Sequence, residues 1–183
     1  VSGTVHNEEL PIEMPNFRSG RAMVSSVNQH RYLVAKQILS YRQEDRLPTM
    51  TDAISGPRKE RFGQALATAE MWSELDGPDR YTVFVPVDLA IDAMDGMKPV
   101  EMTPTVLESF VKAHIVRGDY SLEELEEVGS VRNLDGEHIK VRSANGETTV
   151  NGSRVLFKNR RTRNGVIHFI YPVLSPDAST LDP

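Results

Sequence analysis

The chain contains no cysteine. That excludes disulfides, zinc–thiolate sites and a thiol nucleophile, and it leaves the redox compartment open, since a thiol-free chain suits any of them. No apolar run approaches the roughly 18 to 20 residues needed to cross a bilayer. No basic and then apolar signal segment opens the chain, although it begins at Val1 rather than Met. That start reads as a processed form or an excised fragment, so a removed targeting peptide stays open. The net charge of −5 gives no general attraction to nucleic acid, which is held by neutralising phosphates with Lys and Arg. Gly-x-Ser-x-Gly, phosphate-loop, dinucleotide and His-x-x-x-His patterns are also missing, and with them the commonest announcements of catalysis or metal binding. The reading is of a non-catalytic chain with no cofactor and no metal.

What is present fits a soluble globular protein. With 183 residues, 39% apolar and 26% charged, the chain suffices for one packed domain and an appendage. Residues 1–48 read as that appendage. Val1 to Pro15 carries acids and two prolines without a period, as an extended arm would. From Asn16 to Gln43 acidic residues vanish, while Arg18, Arg21, Arg31, Lys36 and Arg42 supply positive charge. Val24, Val27, Val34, Ile38 and Tyr41 recur at helical spacing, which predicts a basic amphipathic helix from about Arg21 to Arg42. A buried face on the domain or a partner is the plain reading of such a stripe. Its Arg-rich character also fits a transit segment or a membrane surface.

Residues 49–176 read as the domain and 177–183 as a polar tail. Thr51 to Ile54 predicts a short helix, and Arg61 to Leu75 one longer helix stopped at Asp76-Gly77-Pro78. Tyr81 to Val85 predicts a strand ended by Pro86. A short helix follows from Asp88, with Asp88 as its cap. Thr103-Pro104 opens another helix, and Ser121 with Glu124 forms a capping box. Beyond Gly129, Asn145-Gly146, Asn151-Gly152 and Asn164-Gly165 punctuate short strands as hairpin signals, because both residues of the pair tolerate positive φ. The run Val166-Ile167-His168-Phe169-Ile170 predicts a strand buried on both faces, stopped by Pro172 and Pro176.

Two segments carry a family resemblance. Tyr81-Thr82-Val83-Phe84-Val85-Pro86-Val87-Asp88 and Asn164-Gly165-Val166-Ile167-His168-Phe169-Ile170 resemble the two boxes of the fasciclin domain family. Between them Ala113-His114-Ile115-Val116 resembles the family's Tyr-His-Val-Val, with Ala113 in place of the tyrosine. The resemblance implies an α+β fold, a twisted wedge of short β-strands with packed helices, in which Thr82, Phe84, Pro86, Asp88, His114, Asn164, Gly165 and His168 are structural. It implies adhesion or interaction rather than a shared catalytic site, in secreted, periplasmic or surface proteins. After loss of a presequence, an organelle or membrane-associated complex is the alternative location. Because the family's integrin-linked motifs lie around the missing tyrosine, that activity is not carried over.

Other clusters have plain readings. His114 and His168 sit in apolar runs and read as hydrogen-bonded core groups. Asp88, Asp92 and Asp95 would share a helix face and could hold calcium, but read as one cap and two solvated acids. Lys158, Arg160, Arg161 and Arg163 form the densest basic cluster, placed between two strands as a loop, and Glu123, Glu124, Glu126 and Glu127 form an acidic helix face. The leading expectation is therefore a non-catalytic interaction module. Its arm and basic helix, through Arg18, Arg21, Arg31, Lys36 and Arg42, would dock on a protein partner or a multi-subunit complex. One alternative is an adhesion module whose basic loop binds acidic glycans or membrane. Another is a small-ligand or enzymatic cleft beside His114 and His168. Nucleic acid is not among the expected partners.

Overall fold

The computed structural model describes residues 33–36 and 47–174. The chain divides into two compact units, residues 1–39 and 40–183. In the first, residues 33–36 are helical and Lys36 is exposed. The expected arm, the rest of the Arg21 to Arg42 helix with Arg18, Arg21, Arg31 and Arg42, and the tail at 177–183 lie outside the described residues.

In the second unit the described elements run α1 (Met50–Ile54), α2 (Glu60–Thr68), α3 (Trp72–Leu75), β1 (Tyr81–Pro86), α4 (Asp88–Asp92), a 3-10 turn (Pro99–Glu101), α5 (Pro104–Ala113), β2 (Ile115–Arg117), α6 (Leu122–Val128), β3 (Ser130–Arg132), β4 (His138–Ala144), β5 (Glu147–Val150), β6 (Ser153–Thr162) and β7 (Gly165–Tyr171). The fold is α+β, as expected. Local chemistry sets the boundaries. Thr49 caps α1 by accepting from Asp52 N at 3.0 Å, and Asp52 reaches back to the Thr49 amide. Ser121 and Glu124 do the same for α6, whose end is closed by Gly129 at φ 73. The helix expected over Arg61 to Leu75 is instead two, α2 and α3. Glu70 turns to φ 56 between them, a left-handed residue that no helix continues through.

The strand order is β2-β1-β7-β6-β5-β4-β3. β1 and β7, next to the β2 end, run parallel, Tyr81 opposite Gly165 and Pro86 opposite Ile170, while the other pairs are antiparallel. Val116 of β2 bridges to Asn133 beyond β3, and Leu134 N donates to Ile115 O at 2.8 Å. The two ends of the sheet therefore meet, and the sheet curls on itself.

Strand alternation then divides the interior in two. Tyr81, Val83, Val85, Ile167 and Phe169 pack with the helices, against Met50, Ile54, Phe62, Leu66 and Val111. Phe84 and Ile170 turn to the inside of the curl, against Val116, Leu125, Ile139 and Val150. Each such large side chain contributes about 1.5–3 kcal/mol by leaving water. The ion pairs Arg61–Asp92, Arg117–Asp79 and Arg154–Glu147 are all well exposed, and such pairs contribute about 0–1 kcal/mol. The core, not the charges, decides stability.

Candidate functional site

β6 is where the structure departs most usefully from the sequence. The basic cluster expected in a loop lies inside this strand, with only Arg163 in the turn to β7. Two register shifts against β7, between Val155 and Phe157 and again between Phe157 and Arg160, are β-bulges. Each bulge adds a residue without a partner and re-aims its neighbours. At the second, Asn159 takes φ 56, and the alternation of apolar and polar positions breaks there.

The bulge scatters the four cations. Lys158 pairs with Glu123 of α6 at 2.7 Å. Hydrogen bonds from Lys158 and Asn159 push the Glu123 carboxyl down to about 2. Arg161 stands opposite Val166, where its charge acts on Glu124 of the same helix. Arg163 turns back instead, its Nε donating to Leu47 O at 3.0 Å and its amide to Pro48 O at 3.0 Å. Arg160 stands opposite Ile167, on the alternate face. The cluster is thus not one patch. Among the described residues, neither the Arg160 nor the Arg161 side chain makes a hydrogen bond or ion pair.

Arg160 has different company. Phe157 of the same face is 69% exposed. Its ring meets the buried Phe169 edge-on, centroids 6.3 Å apart. Lys59 Nζ lies 5.6 Å from the Phe169 centroid, within cation–π range. Burial and the like charge of Arg160 hold the Lys59 ammonium below the usual lysine range. Sequence reading passed over Lys59 and Phe157. The available signal was the aromatic placed directly before the Lys158-Asn159-Arg160-Arg161 run, which interrupts strand alternation.

The two buried histidines are held by backbone. His114 Nδ1 donates to Phe110 O at 2.8 Å, which leaves Nε2 to accept from Leu174 N at 3.2 Å. Burial pushes its pKa down to about 4, against a smaller raising effect of the Phe110 hydrogen bond. His168 Nε2 donates to Tyr120 O at 3.1 Å, and its Nδ1 accepts from Asn159 N at 3.4 Å. Burial lowers its pKa as well. His114 packs on Phe62 and Phe110, and His168 stacks on Phe84. Their rings belong to different clusters, which corrects the expectation of a single cleft beside both.

The motif residues also have plain positions. Thr82 donates to Gly118 O at 2.7 Å and accepts from Tyr120 N at 2.8 Å, tying β1 to the turn after β2. Phe84 and Pro86 are buried in β1. Asp88 does not cap its own helix. Its Oδ1 accepts from Arg61 N at 3.0 Å, inside the first turn of α2, and Asp92 pairs with Arg61 at 2.9 Å. Among the described residues no group of three metal-ligating side chains forms. Asn164 Nδ2 donates to Leu75 O, and to Gly77 O at 3.3 Å. Asn145-Gly146 and Asn151-Gly152 have positive φ at both residues, as hairpin turns of that type require. Asn164-Gly165 has positive φ at neither, so its expected turn chemistry is wrong. Gly165 is small for a different reason: a Cβ there would lie 1.9 Å from Tyr81 O.

Comparison with known proteins agrees with this geometry. The family model described as the fasciclin domain matches residues 57–176. Mouse Stabilin-2 is 28% identical over 120 residues, covering 63% of this chain and 5% of that protein. The fasciclin-like arabinogalactan protein elcF of Phaeosphaeria nodorum is 32% identical over 131 residues, covering 70% of this chain and 40% of that one. The chain therefore spans less than half the length of these relatives. Among solved structures, a FAS1 domain pair from the insect cell adhesion molecule Fasciclin I superposes with a TM-score of 0.60 at 18% identity, over 70% of this chain and 51% of that one. At that identity the likeness speaks for the fold.

Proposed function

The chain belongs to the fasciclin domain family, and on that premise we propose that it is a non-catalytic protein-interaction module. The domain is the scaffold. The extension at residues 1–48 docks on a partner and makes the protein an accessory subunit of a larger assembly. The observation that carries this reading is where the uncommitted groups lie. Buried polar groups such as His114, His168 and Thr82 are bonded to backbone. Phe157, Arg160 and Arg161 stand exposed. Chemistry free to act is thus at the surface, as recognition needs. Five basic residues without an acid between Asn16 and Gln43 add positive charge that suits an acidic partner.

Native mass spectrometry of the protein purified gently from its source tests the reading, beside a version starting at Leu47 that keeps the carbonyls bound by Arg163. Defined partners on the full chain and a lone folded monomer for the shorter one are expected. Two lone monomers of equal stability would remove the docking role of the extension.

A second reading is favoured by the exposure of Arg160 and Arg161. They would bind acidic glycans or a membrane in an adhesion module. Binding that weakens steeply with salt and is lost in the Arg160→Ala, Arg161→Ala double variant would support it.

A further inference from the structure

β6 has a neighbour on both sides for only part of its length. β5 accompanies it at Ser153 and Arg154. From Val155 to Thr162 it has β7 on one side and, among the described residues, no strand on the other. In an antiparallel ladder alternate residues turn their N–H and C=O away from the partner strand, so this stretch offers main-chain donors and acceptors outward. Such edges are templates for another strand unless covered. α6 reaches it through the side chains of Lys158 and Asn159. Leu156, Phe157, Arg160 and Arg161 remain exposed.

We propose that the uncovered part of β6 around Phe157, framed by Lys59 and Arg160, docks an extended acidic segment of a partner protein. The segment runs along the open edge from Val155, sets an apolar side chain on Phe157 and places a carboxylate between the two cations. This inference rests on the interaction-module reading and gives it a site.

Three observations select this occupant. Lys59 Nζ donates to the Ala53 carbonyl at 2.5 Å and, among the described residues, has no carboxylate paired with it, while burial and the like charge of Arg160 lower its pKa. An incoming carboxylate would supply the missing counter-charge. Phe157 already rests on Phe169, so a partner would cover an aromatic held in place, the usual centre of an interface. The open edge supplies hydrogen bonds that match a polypeptide backbone and not a sugar chain. A polyanionic glycan would want a row of cations. Lys158 is instead paired with Glu123 of α6, and Arg161 stands on the opposite face of the strand from Arg160.

Fluorescence anisotropy on the full chain provides the test. The probe is a labelled peptide of about ten residues alternating valine with glutamate, with its lysine counterpart and a heparin oligosaccharide as competitors. Phe157→Ser and Arg160→Glu, both at exposed positions, should each weaken peptide binding by about tenfold or more. Arg161→Glu, on the other face, should change it by no more than about twofold. Equal loss with Arg161→Glu, displacement by heparin, or no peptide binding would overturn the site. Capture of source partners by the full chain separates the two levels. Partners retained in both Phe157→Ser and Arg160→Glu would reject this site and leave the module reading intact. Partners lost in both, with Arg161→Glu unaffected, would support it.

Discussion

Gly165 sits directly over the carbonyl of Tyr81: a Cβ on it would be 1.9 Å from the oxygen and 2.9 Å from the carbon. These are backbone atoms of the parallel β1–β7 pair, where Tyr81 N also donates to Asn164 O at 3.1 Å. Neither strand can yield without losing its register. Gly165→Ala should therefore cost more than about 3 kcal/mol, in the range of overpacked cores and broken backbone contacts. Gly146 makes the contrast. It has φ +79 and open space around its would-be Cβ, so Gly146→Ala should cost only about 1 kcal/mol of backbone strain. Urea unfolding of the two variants checks the order. Equal costs would mean that the paired strands yield to the added methyl and that space does not fix Gly165.

Thr82 bonds two groups with one hydroxyl, Gly118 O and Tyr120 N, and is fully buried. Thr82→Val keeps the shape and leaves both groups without that partner, at about 2–3 kcal/mol. Thr82→Ser keeps the hydroxyl and loses one methyl, at about 1 kcal/mol. Reversal of that order in denaturant titrations would make packing, not hydrogen bonding, the role of this residue.

Asn159 joins β6 to α6. Its Oδ1 accepts from Leu122 N at 2.8 Å, one of the amides that a helix start leaves free, and its Nδ2 donates to Glu123 at 2.7 Å. Asn159→Ala loses both contacts and keeps a left-handed backbone that alanine resists, so about 2–3 kcal/mol is expected. Asn159→Gly loses only the contacts and should be milder by about 1 kcal/mol. Hydrogen exchange at the Leu122 amide reads the lost contact directly. An unchanged rate in both variants would show that Ser121 holds this end of the helix unaided.

Much of this was legible because it is local. The Ser121 box, the Thr103-Pro104 start and the Asn145-Gly146 and Asn151-Gly152 turns each depend on neighbours within a few residues. So does the two-faced burial of β7, announced by an unbroken apolar run. Apart from the local break at Glu70 that splits α2 from α3, the misreadings concern partners distant in the chain. Asp88 caps α2 rather than α4 because the two helices meet in space. Gly165 is fixed by Tyr81, across a parallel pairing that no turn signal encodes. The basic run looked like a loop because its bulges destroy the period of two on which strand reading depends. Which cations stay free was decided by where α6 falls.

His114 makes stability depend on pH with a definite sign. Its pKa falls from 6.5 to about 4 in the folded protein, so as pH drops the unfolded chain takes up the proton first. Protonation of the folded state would give Nε2 a hydrogen facing the Leu174 amide, donor against donor. The contribution is therefore fully present above about pH 6.5 and is lost progressively down to about pH 4, by about 3 kcal/mol at most. His168, also lowered, acts in the same direction. Urea unfolding at about pH 7.5 and about pH 4.5 should show the fall. His114→Phe should be less stable at the higher pH, through the two lost hydrogen bonds, and should flatten the slope between the two values. Should that variant fail to fold, nitrogen-15 shifts of the wild-type imidazole still decide the matter. They should report a neutral ring protonated at Nδ1 down to about pH 5. A ring that titrates near its ordinary value, or an undiminished slope in the variant, would place the pH sensitivity elsewhere.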